Sequence, residues 1–211
     1  MANTITTKRP MVKETVGALY YAFNTPTEAG EFNPETYENT IKCPVAKNIG
    51  TTENAENTTV RASGEDYTSV NQTSSIDLAV EVVAFDPADL AKMRGEEADQ
   101  GGLVLSGAPG KRPFFAFGKV VKKENGVKEY AWYPKCQLLE NSDDIATSEE
   151  SFSEQNDTVT IRAYSFNGKD QKKAYVNSEM STFPEGLTEE KFFMKPILTK
   201  ADLAAAVAPG A

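Results

Sequence analysis

The side chains that most enzymes use for proton transfer and nucleophilic attack are sparse in this sequence. Histidine is absent from all 211 residues, which removes the commonest general base and the commonest metal ligand. Serine–histidine and cysteine–histidine nucleophiles are excluded for the same reason. Cys43 and Cys136 lie far apart with no CxxC spacing, so we interpret both thiols as small, buried apolar side chains.

The remaining candidates for acid–base chemistry are the carboxylates of one acidic run, residues 141–157. Paired carboxylates act as acid and base in glycosidases, and clustered carboxylates bind calcium. The run lacks the spacing of a calcium loop, and no apolar pocket accompanies it that would raise a carboxyl pKa. We therefore expect a solvated acidic loop, no metal or cofactor, and no enzymatic activity. The acidic residues of the run are Asp143, Asp144, Glu149, Glu150, Glu154 and Asp157.

Composition predicts a single folded domain over residues 1–211. Hydrophobic residues make up 39% of the chain, which is sufficient for a core once the glycines are added. The apolar runs are far shorter than the ~18–20 residues of a membrane span, and no segment has the length of a signal peptide. We therefore expect no membrane insertion and synthesis in a cytoplasm. The net charge of −9 disfavours tight binding to DNA or RNA, because such binding needs clustered Lys and Arg.

Most of the chain has the patterning of antiparallel β-strands. The segments with this pattern are residues 13–23, 58–69, 75–82, 114–138, 158–166 and 173–177. Residues 58–69 predict two short strands about a turn at Ser63-Gly64-Glu65-Asp66, where glycine tolerates a positive φ. The clearest alternation begins at Ser75 and places Ile76, Leu78 and Val80 in the core. Asp77 and Glu81 then lie on the opposite, polar face of the same strand.

The strongest local signal is an aromatic hairpin in residues 114–138. Asn125-Gly126 is typical of a two-residue type I′ turn, and counting outward from this turn pairs Val121 with Tyr130. Since opposed residues share a face, the register predicts one apolar core face and leaves Tyr133 on the other. That core face consists of Phe115, Phe117, Val121, Tyr130, Trp132 and Cys136.

Helices and irregular segments account for the rest of the chain. Asp86, followed by proline, predicts a short α-helix that ends near Gly95, and Thr188 is a second possible helix start. Residues 25–57 are mostly polar and predict a long loop of the kind that a partner orders. Residues 199–211 predict a terminal arm that frays or becomes ordered only on a neighbour.

In order and character, these elements resemble the major tail proteins that build the tail tubes of long, non-contractile tailed bacteriophages. The resemblance covers the chain from about Val16 to Phe166. Its carriers are TVRASGEDYTSVNQ leading into SIDLAVEVVAFDPADLAKMRG, then FFAFGKVVKKENGVKEYAWYPKCQLLE, and finally SEESFSEQNDTVTIRAYSF. The resemblance implies a mainly β fold, a β-sandwich or partial barrel of antiparallel sheets with one short flanking α-helix.

The same resemblance implies a structural function in the virion tail, after assembly in the host cytoplasm. Subunits of that family form hexameric rings that stack into a tube, through which genomic DNA passes without specific binding. The implied partners are other copies of the chain and the tape-measure, tail-tip or terminator proteins of the tail. By position, terminal arms fall at residues 1–12 and 199–211, and Asp77 and Glu81 are candidates for the lumen. The ring-stacking loop falls within residues 25–57 and includes Glu31, Asn33, Tyr37, Lys42 and Lys47.

Two alternatives stay open at this point. One is a monomeric β-sandwich binding module that recognises carbohydrate through Trp132, Tyr130 and Tyr133. The predicted register disfavours it, because Trp132 and Tyr130 fall on the core face and a sugar platform needs exposed neighbouring rings. The other is that Asp77 and Glu81 belong to an ordinary solvent-facing surface.

Overall fold

In the described part of the chain, eight β-strands and three short α-helices form the fold, which is known from a computed structural model. The structure describes residues 7–96, 101–143, 145–147 and 154–208. The strands are Lys13–Phe23 (β1), Ile41–Cys43 (β2), Ala46–Ala62 (β3), Glu65–Val82 (β4), Phe115–Lys123 (β5), Lys128–Ser142 (β6), Asp157–Ala163 (β7) and Ala174–Asn177 (β8). The helices are Pro87–Arg94 (α1), Glu189–Phe193 (α2) and Lys200–Val207 (α3).

All strands pair antiparallel in one sheet. Its order is β2-β1-β5-β6-β7-β4-β3, and β8 pairs with the first half of β6 beside the β6–β7 ladder. Among the described residues, no ladder joins the terminal strands β2 and β3, although β3 contacts β1. The sheet is thus curled but open. The mainly β, antiparallel fold class is confirmed, with three short helices where one was expected.

The sheet buries apolar side chains on both faces. This explains why Tyr20, Tyr21, Ala22 and Phe23 are all buried in consecutive positions of β1, since strands covered on both sides are continuously apolar. The inner core, on the concave side, includes Tyr21, Phe23, Ile76, Leu78, Val80, Phe115, Phe117, Tyr133, Cys136, Val159 and Ile161. The outer core includes Tyr20, Val120, Tyr130, Trp132, Leu187, Phe192, Phe193 and Ile197.

The segment around α2 covers the outer face of the central strands. The rings of Tyr20 and Phe193 stack with their centroids 4.0 Å apart, and the indole Nε1–H of Trp132 donates to the carbonyl of Phe192 at 3.0 Å. Gly118 permits this close packing, because a Cβ at this position would lie 2.6 Å from the Phe193 ring. The helix begins after Thr188, whose hydroxyl accepts from the Lys191 amide, so this predicted helix start is confirmed.

The prediction of a C-terminal arm over residues 199–211 is wrong for residues 199–208. Thr199 and Asp202 form a reciprocal capping box at the start of α3, which satisfies amide groups that the first helical turn leaves unpaired. Leu203 and Val207 pack against the outer core. Residues 199–208 therefore dock on the chain's own body, and residues 209–211 lie outside the described residues.

The β5–β6 register differs from the predicted one by one residue. Val120, not Val121, pairs with Tyr130, although Phe115 does pair with Cys136 beyond an irregularity near Pro134. Asn125 and Gly126 adopt the positive φ of the expected turn, but Glu124 is an additional residue whose amide donates to the carbonyl of Val12. A one-residue slip turns every following side chain to the other face.

Several core assignments change as a consequence. Trp132 and Tyr130 belong to the outer core, while Phe115, Phe117 and Cys136 remain in the inner core. Val121 is only half-buried, and Tyr133, expected on the outward face, is buried in the inner core. Ile76, Leu78 and Val80 are buried as predicted. All three aromatic residues of the carbohydrate-binding alternative are inaccessible to a sugar.

Helix α1 agrees with its sequence signals. The carboxylate of Asp86 accepts from the amides of Ala88 at 2.9 Å and Asp89 at 3.2 Å. The helix ends at Gly95, which has the left-handed φ of 80° that glycine tolerates. Met93 is fully buried in the inner core.

The long loop predicted over residues 25–57 is wrong in its second half. Strands β2 and β3 begin within this range, because polar Asn and Thr residues are compatible with an exposed hairpin strand. The remaining loop, residues 25–40, is organised by the buried Asn24. The Asn24 side chain bonds to both backbone groups of Asn33 and to the carbonyl of Thr36.

Part of the predicted N-terminal arm also contacts the body. The amide of Met11 donates to the carboxylate of Glu179 at 3.0 Å, and the carbonyl of Val12 accepts from Glu124. Residues 7–12 carry no strand or helix, and residues 1–6 lie outside the described residues.

Candidate assembly surface: the projecting hairpin

The β3–β4 hairpin extends well beyond the sheet. Pairing between β4 and β7 begins at Ile76, whereas β3 and β4 pair with each other as far as Ala62 and Glu65. Residues 55–73, here called the arm, form this outer part. At ~3.3 Å per residue, the eight arm residues of β3 project roughly 25 Å from the body.

Exposure distinguishes the arm from the rest of the sheet. Every arm residue whose side chain the structure describes is exposed, except Thr73 at the base, which is half-buried. Its turn is formed by Ser63 and Gly64, both with positive φ of 55° and 84°, as in the two-residue turns of tight hairpins. The sequence predicted this turn, but it predicted two short strands instead of the long hairpin.

The two faces of the arm differ in character. Val60 and Val70 share one face, because Val60 pairs with Thr68 and Val70 pairs with Thr58. They are 44% and 52% exposed, and Tyr67, an unpaired bulge residue between the ladders, is 77% exposed. Alternating positions on the other face are small or polar. Exposed apolar side chains on one face of a protruding element are typical of a contact surface.

The backbone of the arm is also available for pairing. Each of its strands is paired on one side within the described residues, so the outward edge presents amide and carbonyl groups in a row. Such an edge is a template for another strand. Arg61 and Asp66 form an ion pair next to the turn, with 2.7 Å between Nε and Oδ1, and both side chains are exposed.

The predicted lumen residues lie at the base of the arm, on one face of β4. The Asp77 carboxylate accepts two hydrogen bonds from the Arg162 guanidinium, at 2.6 and 2.8 Å, and a third from Asn54 at 2.9 Å. The Arg162 bonds hold the pKa of Asp77 below its ordinary value. Glu81 accepts from the side-chain amide of Asn156 at 2.8 Å. Both acids are therefore partnered.

The surrounding surface is rich in hydroxyl and amide groups. We call it the polar face; it consists of Asn48, Gly50, Thr52, Asn54, Asp77, Ala79, Glu81, Thr158, Thr160, Arg162 and Glu140. Ala79 and Thr52 are exposed near its centre. The guanidinium of Arg162 balances the negative charge of Asp77. The polar face therefore carries less net negative charge than the sequence alone suggested.

The five residues predicted for ring stacking do not form one cluster. Glu31 and Asn33 lie in the loop of residues 25–40, and Tyr37 is anchored there by its hydroxyl, which donates to the carbonyl of Pro134 at 3.0 Å. Lys42 lies in β2, 3.9 Å from Glu189. Lys47 lies in β3 and forms an ion pair with Glu154. Their contacts tie them to the body of the same chain.

Sequence reasoning missed the arm as a projecting element. The one usable signal was the scarcity of large apolar residues over residues 50–75, where only Val60, Tyr67 and Val70 occur, so neither face of these strands can be buried in a core. A polar stretch of this kind is equally typical of a loop. Only the ladder between β3 and β4 shows that the hairpin extends well beyond the two short strands of residues 58–69.

Within the described ranges, no group of three or more acidic or cysteine side chains could hold a metal ion. No helix in those ranges is long and apolar enough to span a membrane. Of the acidic run, Asp143 and Glu154 are exposed and Asp157 begins β7; Asp144, Glu149 and Glu150 lie outside the described residues.

Comparison with known proteins gives a structural similarity at low sequence identity. No family model and no curated protein sequence matches the chain. The chain is similar to one in the cryo-EM structure of the anti-feeding prophage (AFP) baseplate, 6-fold symmetrised, with a TM-score of 0.46 and 11% sequence identity. The match covers 82% of this chain and 100% of that chain. A similarity at this level does not assign a function.

Proposed function

We propose that this chain is a structural subunit that self-associates through the arm. In its specific form, the proposal is that copies form hexameric rings, which stack into a phage tail tube that conducts genomic DNA. The observation that carries the self-association is the exposure of both faces of the arm. The tail tube and its ring symmetry are supported by the sequence resemblance. The subunit has a structural role in this proposal, with no catalytic step.

The energetics of the arm favour a partner. A two-stranded hairpin without a packed face is at best marginally stable in water, since ordering its backbone costs more than its hydrogen bonds return. A second copy that pairs with the free edge and covers Val60 and Val70 would supply the missing burial. We place the receiving surface of the second copy outside its own arm, so such contacts are head-to-tail and build rings or stacks.

The polar face suits the wall of a DNA channel. Condensed counterions leave DNA when lysine or arginine neutralises its phosphates, and the Arg162 guanidinium is already bonded to Asp77. Thr52, Ala79 and Thr160 offer no positive charge. DNA would therefore pass along this face without binding tightly. Tape-measure, tail-tip and terminator proteins would then set the length and ends of the tube.

Removing the arm is the direct test of self-association. Replacing residues 55–74 with Asn-Gly joins Asn54 to Ser75, which already pair, by a two-residue hairpin turn. We expect a folded monomer with an unchanged circular dichroism melt, whereas the parent chain at high concentration forms rings or tubes in negative-stain electron microscopy. Tubes of the shortened chain equal to those of the parent would contradict the proposal.

A substitution pair refines this test without removing backbone. Val60→Ser with Val70→Ser alters only the apolar face of the arm. Leu103→Ser with Leu105→Ser is the control pair, since these residues are also exposed apolar side chains but lie off the arm. We expect the first pair to raise the concentration needed for assembly and the control pair to leave it unchanged. Equal effects of both pairs would argue against the arm.

The channel wall needs a separate experiment. Ala79→Lys places a positive charge at the exposed centre of the polar face without disturbing the Asp77–Arg162 pair. We expect assembly of normal tubes and retention of DNA by those tubes in a low-salt sedimentation assay. The control Ala108→Lys adds the same charge at an exposed position that is not part of this face. Tubes with Lys at position 79 that release DNA as the parent does would contradict the assignment of the wall.

A further inference from the structure

A pocket with a volume of about 560 Å³ opens where β1 approaches β3. It lies next to the inner core, between β1 and β5 on one side and β3 on the other. The charged side chains that line it are Lys13, Glu14, Lys47, Lys119, Glu129 and Lys173. Four lysines and two glutamates give the lysine pocket a positive formal charge in a chain whose net charge is −9.

Lys119 forms the floor of the lysine pocket. It is only 8% exposed, and its Nζ donates to the hydroxyl of Thr51 at 2.5 Å. The centroid of the Tyr133 ring lies 5.7 Å from Nζ. Among the described residues, no carboxylate lies within ion-pair distance of this ammonium group, whereas Lys47 and Lys173 pair with Glu154 and Glu129.

A buried ammonium group without a carboxylate partner is costly. Burial lowers the pKa of Lys119 to about 8, and the nearby Lys173 and Lys13 act in the same direction, opposed by Glu129. The residues two positions before and after Lys119 in β5, Phe117 and Val121, are apolar. An apolar residue at position 119 would avoid the cost of burying a charge. Within the described residues, the ammonium group of Lys119 has no ion-pair partner. An anion that enters the pocket from solvent would therefore stabilise its positive charge.

We propose that the lysine pocket is a binding site for an oxyanion of the phosphate or carboxylate class. The anion would accept from the Lys119 ammonium group at the floor, while Lys13 attracts it at the exposed mouth. Two sources share this chemistry, a free ion such as inorganic phosphate and a glutamate or aspartate side chain from the arm of a second copy. The second source rests on the proposed self-association.

The first test measures binding of inorganic phosphate to the full chain at pH 7 by isothermal titration calorimetry. Lys119→Met keeps the length of the side chain and removes its charge. We expect it to weaken binding at least about tenfold, because hydrogen bonds to charged groups are the strong ones. Lys169→Met, at an exposed position outside the pocket, is the matched control and should bind as the parent does.

A second readout does not depend on the folding of that variant. The ¹³Cε shift of Lys119 in the parent chain reports its protonation, and bound phosphate should raise its pKa above about 8. Phosphate affinity should accordingly fall as the pH rises through 8. The other charged groups that face the site are Lys13 and Glu14 on β1, Lys47 on β3, Glu129 on β6, and Lys173 just before β8.

The outcomes separate the proposal from the proposed function. Absence of phosphate binding at millimolar concentration, an unchanged Lys119 titration, or full binding by Lys119→Met would each overturn the oxyanion site, whether or not the chain assembles. If the site exists, assembly at increasing phosphate distinguishes the sources. Phosphate that inhibits assembly, with Lys119→Met doing the same, identifies a carboxylate of a second copy, and unaffected assembly identifies a free ion.

Discussion

Two hairpins of this chain have the same backbone design and opposite environments. The β5–β6 hairpin turns at Asn125-Gly126 and the arm turns at Ser63-Gly64, and both turns use two residues with positive φ. Both hairpins form long antiparallel ladders that are interrupted by bulges. Yet β5 and β6 bury side chains of both faces, including Phe117 and Trp132, while both strands of the arm are exposed at their described residues except Thr73, which is half-buried.

The difference shows which part of the sequence decides the role of a hairpin. Turn chemistry and backbone pairing are shared, so they cannot account for it. Side chains do: the β5–β6 hairpin carries aromatic and branched residues, and the arm carries mostly Thr, Asn, Ser and Glu. Apolar burial stabilises the former, whereas the hydrogen bonds of the latter largely exchange with those of water. The β5–β6 hairpin holds the fold together, and the arm is left for a partner.

The largest expected effect comes from truncation in the buried hairpin. Trp132→Ala removes a fully buried ring and the hydrogen bond to Phe192, so we expect a loss of about 3–5 kcal/mol in the free energy of unfolding. Urea denaturation of dilute protein measures it. Tyr67→Ala in the arm is the counterpart, and its effect should be within about 0.5 kcal/mol, because the ring is exposed. Comparable losses in the two variants would remove the distinction between the hairpins.

Deletion of Glu124 tests how the register of the buried hairpin is set. Lys123 would then flank Asn125-Gly126 directly and pair with Val127, to whose carbonyl its amide already donates. The present register therefore survives, and we expect a loss of about 0.5–1.5 kcal/mol, the value of the hydrogen bond from Glu124 to Val12. A cooperative melt with retained near-UV circular dichroism would verify it. Collapse of tertiary structure would show that the bulge itself fixes the register.

Glu124 also illustrates which features the sequence could predict and which it could not. Local signals were sufficient for β1, the alternating strand from Ile76, α1 and the turn residues, since each depends on side chains within a few positions. The side of the sheet on which Trp132 lies depends on whether Glu124 forms an additional turn residue. The Glu124 amide is held in that position by its hydrogen bond to the carbonyl of Val12. Tertiary packing likewise turned residues 199–208 into a docked helix. The arm and the lysine pocket arise from strands distant in sequence, so no local pattern could place them.

A partly buried ion pair in the body should have a smaller but measurable effect. We expect a double-mutant cycle of Asp77→Ala and Arg162→Ala to give a coupling of about 1 kcal/mol, at the upper end for pairs near the surface. The pKa of Asp77 is lowered in the folded chain, so its stabilisation is present above the unfolded pKa and is lost as the pH falls through the folded value. Asp77→Asn should therefore lose its stability deficit in acid. A deficit that is independent of pH would argue against the pair.

The smallest effect is expected for the equivalent pair on the arm. Arg61 and Asp66 approach to 2.7 Å, as close as the body pair, but both side chains are more than half exposed. Water and salt screen such pairs, so the coupling in dilute protein should be at most about 0.3 kcal/mol in a double-mutant cycle. In assembled protein, the same double-mutant cycle of Arg61 and Asp66 reports whether the arm is covered. If the arm is covered by a second copy, desolvation strengthens the pair, and Asp66→Ala should weaken assembly more than it weakens the fold.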